Sequence, residues 1–264
     1  MKKLLLVALF FISQFAMASQ SIDELEADCL NHQDVACVKL GELYLAGNGV
    51  AASATKAREY FKKGCDLNNG AACGAVGFLY KDGKGVEKSD TQAAIFFEKG
   101  CKYNNALSCF EMACRSATGF GVEKSSQKAK EYFERSCDLN YGQACFLLGL
   151  DYQNGQSVRQ SYQKASEYYE RGCDLNYGLA CYWMGMQYID GQGVRQSYQK
   201  AKDCFEKGCN LKEAFSCVNL GVLYYEGKGV RQSYKAAKEY FGRGCDLGYE
   251  EGCANYAKLN KRGL

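Results

Sequence analysis

Cysteine is the residue type in this chain whose spacing points most directly to chemistry. Fourteen of the sixteen cysteines form seven pairs, and the members of each pair are eight residues apart. The pairs are Cys29 with Cys37, Cys65 with Cys73, Cys101 with Cys109, Cys137 with Cys145, Cys173 with Cys181, Cys209 with Cys217, and Cys245 with Cys253. Structural zinc sites favour Cys-x2-4-Cys spacing and four converging ligands, which this spacing fits poorly. We therefore predict seven disulfides in preference to a metal site.

The N-terminus predicts export to an oxidising compartment, where disulfides persist. The first eighteen residues resemble a secretory signal peptide, with a basic start (Lys2, Lys3), an apolar run over residues 4–15 and a small-residue cleavage site at 16–18. The mature domain would then cover residues 19–264. The apolar run is shorter than the ~20 residues that span a bilayer, and no later stretch reaches that length. The expected location is the periplasm or the medium.

Composition argues against several classes of partner. The formal charge of +3 includes two lysines of the predicted signal peptide, and the remaining charges of both signs are interleaved along the chain. This gives little basis for binding nucleic acid. No pattern indicates a cofactor. Proline is absent, which suits an all-helical protein.

The cysteine pairs recur every thirty-six residues, a period typical of stacked supersecondary units. In the unit 34–69, the helical spacing of Leu40, Leu43 and Tyr44 predicts a first helix that ends at Gly47. A second helix begins at Ser53 and ends around Asn68, which suits a left-handed cap. The predicted fold is all-α: a right-handed α-solenoid of about seven stacked helical hairpins, stapled by the disulfides.

Small and aromatic residues recur at fixed places in these units. The first helix carries glycine at Gly41, Gly77, Gly149, Gly185 and Gly221 and tyrosine at Tyr44, Tyr80, Tyr152, Tyr188 and Tyr224. The second helix carries alanine at Ala57, Ala93, Ala129, Ala165, Ala201 and Ala237. Small residues allow antiparallel helices to approach closely, and the aromatic side chains fill the space around them.

The landmarks Leu-Gly-x-Leu-Tyr (residues 40–44), Gly-x-Gly-Val (residues 47–50) and Lys56-Ala57 resemble the Sel1-like repeat, a relative of the tetratricopeptide repeat. With its cysteine pairs, the chain resembles the Helicobacter cysteine-rich proteins over residues 20–258. That family is described as penicillin-binding or β-lactamase proteins and as host-interacting. The resemblance therefore implies a β-lactam, a cell-wall peptide or a host protein as the ligand.

Serine β-lactamases use Ser-x-x-Lys at the start of a helix. The chain has this motif four times in one register, at Ser53/Lys56, Ser125/Lys128, Ser161/Lys164 and Ser197/Lys200. The same register holds Ser89 and Ser233, which are followed by Gln92 and Ala236 instead of lysine. Serine at a helix start is a common N-cap, and Ser89 with Gln92 predicts a capping box. No Ser-Asp-Asn or Lys-Thr-Gly element is present, so capping is favoured over catalysis.

The other residues with catalytic chemistry are few. His32 is the only histidine, and we expect it in an exposed turn between Cys29 and Cys37. Paired carboxylates such as Glu24/Glu26 are common on solvated helix faces. We predict no catalytic residue.

Cys114 and Cys204 have no partner eight residues away. They lie two repeats apart, on the order of 20 Å, because helices pack about 8 to 10 Å apart, and a disulfide needs Cα atoms within about 7 Å. Cys204 takes a position held elsewhere by aromatic residues, and Ser116 near Cys114 replaces the first-helix tyrosine. We expect two inert thiols and a looser spot or small pocket near Cys114.

The tetratricopeptide resemblance places the first helices on the concave side of the solenoid. Apolar residues expected to line that groove are Phe78, Phe110, Phe146, Leu150, Tyr182, Met186, Phe215, Val222 and Tyr225. Such a strip is typical of a protein or peptide site. We interpret the chain as an exported protein- or peptide-binding scaffold. The alternatives are a penicillin-binding protein with weak β-lactamase activity, which rests on the resemblance, and a purely structural rod.

Overall fold

The computed structural model describes residues 20–263, so the predicted signal peptide lies outside the described residues. Across this range the chain contains fourteen α-helices and no β-strand. It forms two compact units, residues 20–103 and residues 104–263. Within residues 20–263, no helix has the length and apolar character needed to cross a membrane.

The first unit contains five of these helices. They are α1 (Ile22–Leu30), α2 (Asp34–Ala46), α3 (Ala54–Asp66), α4 (Gly70–Asp82) and α5 (Asp90–Lys102). The second unit contains the other nine. They are α6 (Ala106–Thr118), α7 (Ser126–Asp138), α8 (Gly142–Asn154), α9 (Tyr162–Asp174), α10 (Gly178–Asp190), α11 (Tyr198–Asn210), α12 (Ala214–Glu226), α13 (Tyr234–Asp246) and α14 (Glu250–Lys261). Six hairpins, α2/α3 to α12/α13, are therefore described between the single helices α1 and α14.

The same elements close the turn of every described hairpin. A glycine with positive φ ends each first helix, at Gly47, Gly83, Gly119, Gly155, Gly191 and Gly227. The backbone N–H of each second-helix N-cap serine donates to a first-helix carbonyl, as from Ser53 to Tyr44 at 2.8 Å. The predicted left-handed residue after the second helix is confirmed at Asn68, which has φ of 68°.

Each regular hairpin depends on an aromatic ring that lies against a glycine. A Cβ atom added at Gly185 would lie 2.4 Å from the ring of Phe205, and one added at Gly41 would lie 2.5 Å from Phe61. The same contact joins Gly77 to Phe97, Gly149 to Tyr169 and Gly221 to Phe241. The predicted close approach of the two helices is thus confirmed, because in these five hairpins a Cβ atom on the first helix would force the ring of the second helix to shift.

A second ring contact lies nearer the turn. The first-helix tyrosine stacks on a second-helix ring in four hairpins, with centroids 5.4–5.6 Å apart and interplanar angles of 9–13°. The stacked pairs are Tyr44/Tyr60, Tyr80/Phe96, Tyr152/Tyr168 and Tyr224/Tyr240. The other two hairpins each lack one ring, because Ser116 replaces the first-helix tyrosine and Cys204 replaces the second-helix ring.

Within each unit, disulfides join the end of one helix to the start of the next across a short turn. Six of the predicted bonds have Cα–Cα distances of 4.5–4.9 Å. They join Cys29 to Cys37, Cys65 to Cys73, Cys137 to Cys145, Cys173 to Cys181, Cys209 to Cys217, and Cys245 to Cys253. Cys101 and Cys109 are disulfide-bonded as well. The predicted disulfide framework is confirmed.

Most of the bonded cysteines are buried. Cys37, Cys145 and Cys217 are fully buried, whereas the last bond is half-buried at both Cys245 and Cys253. The bonds therefore contribute to the core along most of the chain and approach the surface only near its C-terminal end. They indicate an oxidising, exported environment, because cytosolic thiols are kept reduced.

Gly185→Ala should test the ring-on-glycine contact. Because its Cβ would lie 2.4 Å from a fully buried ring, overpacking should lower the free energy of unfolding by ~1–3 kcal/mol. The measurement is urea unfolding of the oxidised protein. Gly242→Ala is the matched control, because its Cβ would lie 3.4 Å from its nearest neighbour, and it should gain up to ~1 kcal/mol of helix propensity. Equal effects of the two substitutions would contradict this account.

Candidate functional site

The six aligned serines are helix caps. Each hydroxyl oxygen accepts a hydrogen bond from the backbone N–H three residues later, at 3.2–3.3 Å. The donors include Lys56, Lys128, Lys164 and Lys200, and also Gln92 and Ala236. The geometry is the same with and without lysine, so the serine hydroxyl serves the helix end in every described hairpin.

The lysines of these motifs contact a ring in three of the four cases. The Nζ atoms of Lys56, Lys164 and Lys200 lie 5.0, 5.1 and 5.3 Å from the ring centroids of the first-helix tyrosines in the same hairpins. These distances are typical of cation–π contacts. In these three hairpins the lysine of the motif therefore contacts the first-helix tyrosine and does not activate the serine hydroxyl, which caps the helix.

The predicted capping box at Ser89 is only half formed. Its hydroxyl caps the helix, but its own backbone N–H donates to the carbonyl of Tyr80 at 3.0 Å, so that donor is already paired within the hairpin turn. A complete capping box forms instead at Ser21 and Glu24, at the start of α1. No first helix precedes α1 among the described residues to pair the Ser21 N–H.

His32 lies where the sequence predicted it. It is exposed in the turn between α1 and α2, and its φ is 63°. Among residues 20–263, no group of three or more histidine, cysteine or acidic residues could hold a metal ion.

Cys114 and Cys204 are both outside the disulfides, and both are half-buried. Burial, with smaller contributions from the carboxylates of Asp203 and Glu170, raises the pKa of the Cys204 thiol to about 12. Near Cys114, the expected looser spot is not seen at Ser116 or Arg115, which are 2% and 5% exposed. A cavity of about 300 Å³ lies instead beside Cys204.

The structure places the predicted groove residues at different depths. Phe215 is 39% exposed, Phe146 is 7% exposed, and the others are half-buried. Phe78 belongs to the first unit, where it makes an edge contact with Phe97 at 4.9 Å. The remaining eight residues belong to the second unit: Phe110, Phe146, Leu150, Tyr182, Met186, Phe215, Val222 and Tyr225.

Within the second unit, these residues lie on stripes of adjoining first helices. On α10, Tyr182 and Met186 are one turn apart, and on α12 Phe215 and Val222 are two turns apart, so each pair shares a helix face. Helix α10 contacts both α8 and α12. The apolar stripes are therefore neighbours across successive repeats.

Aromatic contacts run along the starts of these first helices. Ring centroids lie 5.0 Å apart in Phe110/Tyr141, 5.4 Å in Phe146/Tyr177, 5.6 Å in Tyr182/Phe215 and 4.6 Å in Phe215/Tyr249. We call these seven residues the aromatic row. Tyr141, Tyr177 and Tyr249 were not among the predicted groove residues, although each stands four residues before the second cysteine of its pair.

Carboxylates stand beside the aromatic row. Burial raises the pKa of the Tyr182 hydroxyl, and nearby Glu213 and Glu251 raise it further. The Tyr249 hydroxyl donates to the carboxylate of Glu251 at 2.7 Å. Glu111 likewise adds to the raised pKa of Tyr141, whose main cause is burial. The row is thus an apolar surface with an acidic border.

These observations define an α-solenoid of helical hairpins, a class whose extended surfaces bind other proteins. The chain belongs to the Sel1 repeat family. The model of the Sel1 repeat matches residues 34–69, 70–104, 106–141, 142–177, 178–212 and 214–249. These six matches correspond to the six hairpins. Sel1 repeat solenoids are scaffolds for protein interactions.

Similar solved structures share this fold. The protective antigen c5321 of uropathogenic Escherichia coli has a TM-score of 0.84 and 21% identity, and the match covers 92% of this chain and 52% of that one. This chain therefore spans about half the length of c5321. A Sel1 repeat protein from Oxalobacter formigenes has a TM-score of 0.72 and 24% identity, with coverage of 82% and 89%.

Helicobacter pylori cysteine-rich protein B is 31% identical to this chain, with a TM-score of 0.41 and coverage of 50% of this chain and 94% of that protein. The six Sel1 repeat matches confirm the predicted Sel1-like repeat family. No curated protein matches the chain.

Ser161→Ala and Ser233→Ala should have equal effects if capping is the role of both serines. Each substitution should lower the free energy of unfolding by ~1 kcal/mol, measured by urea unfolding, although a lysine follows only Ser161 in the motif register. As a second readout, neither serine should form a covalent adduct with labelled penicillin in intact-mass analysis. An adduct confined to Ser161 would contradict the capping role.

Cys204 should resist alkylation in the folded protein. With its pKa raised from 9.0 to about 12, its thiolate fraction at pH 8 is roughly 1,000-fold below that of an ordinary thiol, and the thiolate is the reactive form. Iodoacetamide labelling followed by peptide mass mapping checks this expectation. The urea-unfolded chain with its disulfides intact is the control, in which Cys204 should label at the ordinary rate.

Proposed function

We propose that this protein is an exported scaffold that binds a peptide or protein segment along the aromatic row of its second unit. The observation that carries the proposal is the ring contact between Tyr182 on α10 and Phe215 on α12, which joins apolar residues of successive first helices. A purely structural rod would not need aligned aromatic side chains on successive first helices.

Close approach of these first helices supports the continuity of the surface. A Cβ atom added at Gly142 would lie 3.0 Å from the Cβ of Tyr177, and one added at Gly178 would lie 2.9 Å from the Cβ of Glu213. Glycine therefore allows the start of each first helix to contact the next repeat. The rings and carboxylates of the row come close together for this reason.

Phe215 is the expected anchor of the interaction. It is 39% exposed and contacts both Tyr182 and Tyr249. A partner side chain over Phe215 would thus meet three rings at once, and buried aromatic contacts dominate binding at many interfaces. Phe146 is only 7% exposed. We therefore expect it to pack beneath the exposed rings and not to contact the bound segment.

The border of the row indicates the chemistry of the partner. Glu111, Glu213 and Glu251 are close enough to the tyrosines of the row to raise their pKa values. A segment with aromatic or aliphatic anchors and flanking lysine or arginine would pair with these carboxylates. Electrostatic complementarity of this kind favours a basic-apolar segment over an acidic one. No observation among the described residues favours the β-lactam alternative.

The disulfides and the predicted signal peptide support an interaction outside the cytosol. Because each bond crosses only the short turn between hairpins, it fixes the spacing of neighbouring first helices. A surface held in this way loses little conformational entropy when it binds, which favours affinity.

Phe215→Ser should weaken peptide binding, because it removes the exposed ring that we expect to anchor the bound segment. Peptides selected from a random-peptide phage library on the oxidised full chain should be rich in aromatic, aliphatic and basic residues. Their affinity for Phe215→Ser should fall at least tenfold, or ~1.4 kcal/mol, measured by isothermal titration calorimetry.

Phe120→Ser is the matched control for that measurement. Phe120 is 65% exposed in the turn after α6 and lies outside the aromatic row, so its loss should leave the affinity unchanged. Equal weakening by both variants, or selected peptides that bind Phe215→Ser as tightly as the unmodified chain, would overturn the proposal.

A further inference from the structure

The hairpin α10/α11 is missing one ring of a contact that recurs elsewhere in the chain. In four hairpins the first-helix tyrosine stacks on a second-helix ring at 5.4–5.6 Å. Tyr188 is the corresponding first-helix tyrosine in α10, but Cys204 stands where the second-helix ring belongs. Tyr188 therefore has no stacking partner from its own hairpin.

A cavity lies at this position. Its volume is about 300 Å³. Met184, Tyr188 and Cys204 belong to the apolar part of its lining, and two lysines, including Lys207, and three carboxylates, including Asp174, form the charged part. We call it the Cys204 slot. This volume is at the lower end of the range for small-ligand sites, roughly 300–1,000 Å³.

The sister hairpins show what fits beside such a tyrosine. Tyr60, Phe96, Tyr168 and Tyr240 each place a ring nearly parallel to their tyrosine, at interplanar angles of 9–13°. In these four hairpins an aromatic side chain thus occupies the position that corresponds to the Cys204 slot.

A lysine that could cover the occupant is also in place. In the sister sites, Lys63 lies over the second-helix ring at 5.0 Å, Lys99 at 5.4 Å and Arg243 at 5.5 Å. Each cation stands three residues after that ring, and Lys207 stands three residues after Cys204. Lys207 lines the cavity and pairs with Asp174 at 3.4 Å. The cation–π partner for a second ring is therefore present although the ring is not.

We propose that the Cys204 slot binds the aromatic side chain of a peptide or protein, a phenylalanine or tyrosine ring that stacks on Tyr188 beneath the ammonium group of Lys207. The site is distinct from the aromatic row, so it does not depend on the function proposed above. It gives the scaffold a pocket for one ring.

The interior of the slot suits an uncharged ring. The thiol of Cys204 stays protonated because burial raises its pKa, and Met184 provides a second sulfur, an atom that contacts aromatic rings favourably. Tyr188, the stacking wall of the slot, is 9% exposed. The flexible stem of Lys207 allows its ammonium group to adjust over an incoming ring.

The hairpin α6/α7 provides an internal contrast. It also lacks one ring of the pair, because Ser116 replaces the first-helix tyrosine, but Ser116 is only 2% exposed. In that hairpin the missing ring therefore leaves the position closed to solvent. In α10/α11 the missing ring belongs to the second helix, and the tyrosine that forms the stacking wall remains.

Methionine methyl signals offer a direct test. The chain has five methionines, and only Met112, Met184 and Met186 lie within the described residues. Met184 lines the slot, Met186 belongs to the apolar stripe of α10, and Met112 is buried in α6. Oxidised full-length protein labelled with 13C at the methionine methyl groups is titrated with N-acetyl-tyrosine amide. N-acetyl-leucine amide is the matched aliphatic probe.

A ring that enters the slot should shift the Met184 methyl signal upfield and saturably, whereas the leucine amide should cause no saturable shift. Met112 should not move. A shift of Met186 alone would report the stripe of α10 instead and would overturn the slot while leaving the aromatic row intact. Absence of a Met184 shift up to the solubility of the tyrosine amide, or equal binding of the leucine amide, would also overturn it.

Cys204→Tyr should fill the slot with the ring that the sister hairpins carry. The variant should bind the tyrosine amide at least tenfold more weakly and should melt at a higher temperature. Cys204→Ala keeps the slot open and should bind within threefold of the unmodified chain. If Cys204→Tyr does not fold, Tyr188→Leu removes the stacking wall instead and should weaken binding at least fivefold. Undiminished binding by the filled slot, or by Tyr188→Leu, would overturn the proposal.

The pentapeptide Gly-Gly-Tyr-Gly-Gly distinguishes the source of the ring. Affinity equal to or above that of the tyrosine amide supports a side chain carried by a peptide. Affinity more than tenfold below it would overturn that assignment in favour of a free aromatic molecule.

Discussion

The contact between a first-helix glycine and a second-helix ring is the constraint on which each regular hairpin depends. At Gly185 and Phe205 the ring leaves no room for a Cβ atom, so the helices pack as closely as their backbones allow. This approach brings the tyrosine nearer the turn, such as Tyr152, within stacking distance of Tyr168. It also brings the serine N–H of the second helix to the tyrosine carbonyl. The stacked rings and the Lys–Tyr contacts thus accompany a short distance between the two helices of a regular hairpin.

Disulfides extend this order from one hairpin to the next. Because Cys173 and Cys181 lie on either side of a short turn, their bond fixes how α9 meets α10. The bonds are largely buried, so they take the place of apolar side chains in the core. Each unit has a small hydrophobic core, and a small core gives limited stability. The disulfides add to that stability. The fixed spacing of the first helices then becomes a property of the surface that we propose as the binding site.

Residues that differ from the repeat pattern, rather than the recurring residues, give the second unit its cavity and its negative charge. Cys204 removes one ring and leaves a cavity where the sister hairpins are filled. Glu213 takes the position that Tyr141, Tyr177 and Tyr249 hold in other repeats. Its carboxylate caps α12 by accepting a hydrogen bond from the backbone N–H of Ser216 at 2.7 Å. The same carboxylate places negative charge beside the aromatic row. Repeats that share a backbone can therefore differ in what they bind, since one side chain changes without disturbing its neighbours.

The sequence by itself determined the helical hairpins, their boundaries and the disulfide pairing. These are local properties: glycine at Gly47, serine at Ser53 and the eight-residue spacing of cysteines act within one or two turns of chain. It also favoured capping over catalysis, because six serines share one register. Only the tertiary structure decided how deeply each side chain is buried and where a cavity is left. Both depend on side chains that are far apart in sequence. Phe146 and Phe215 resemble each other as residues, yet one is buried and the other exposed. Likewise, Cys204 and Ser116 each replace one ring of a stacked pair, but a cavity lies beside Cys204 whereas Ser116 is buried. Side-chain packing depends on all neighbouring residues together, so the spacing of residues in the sequence does not predict it.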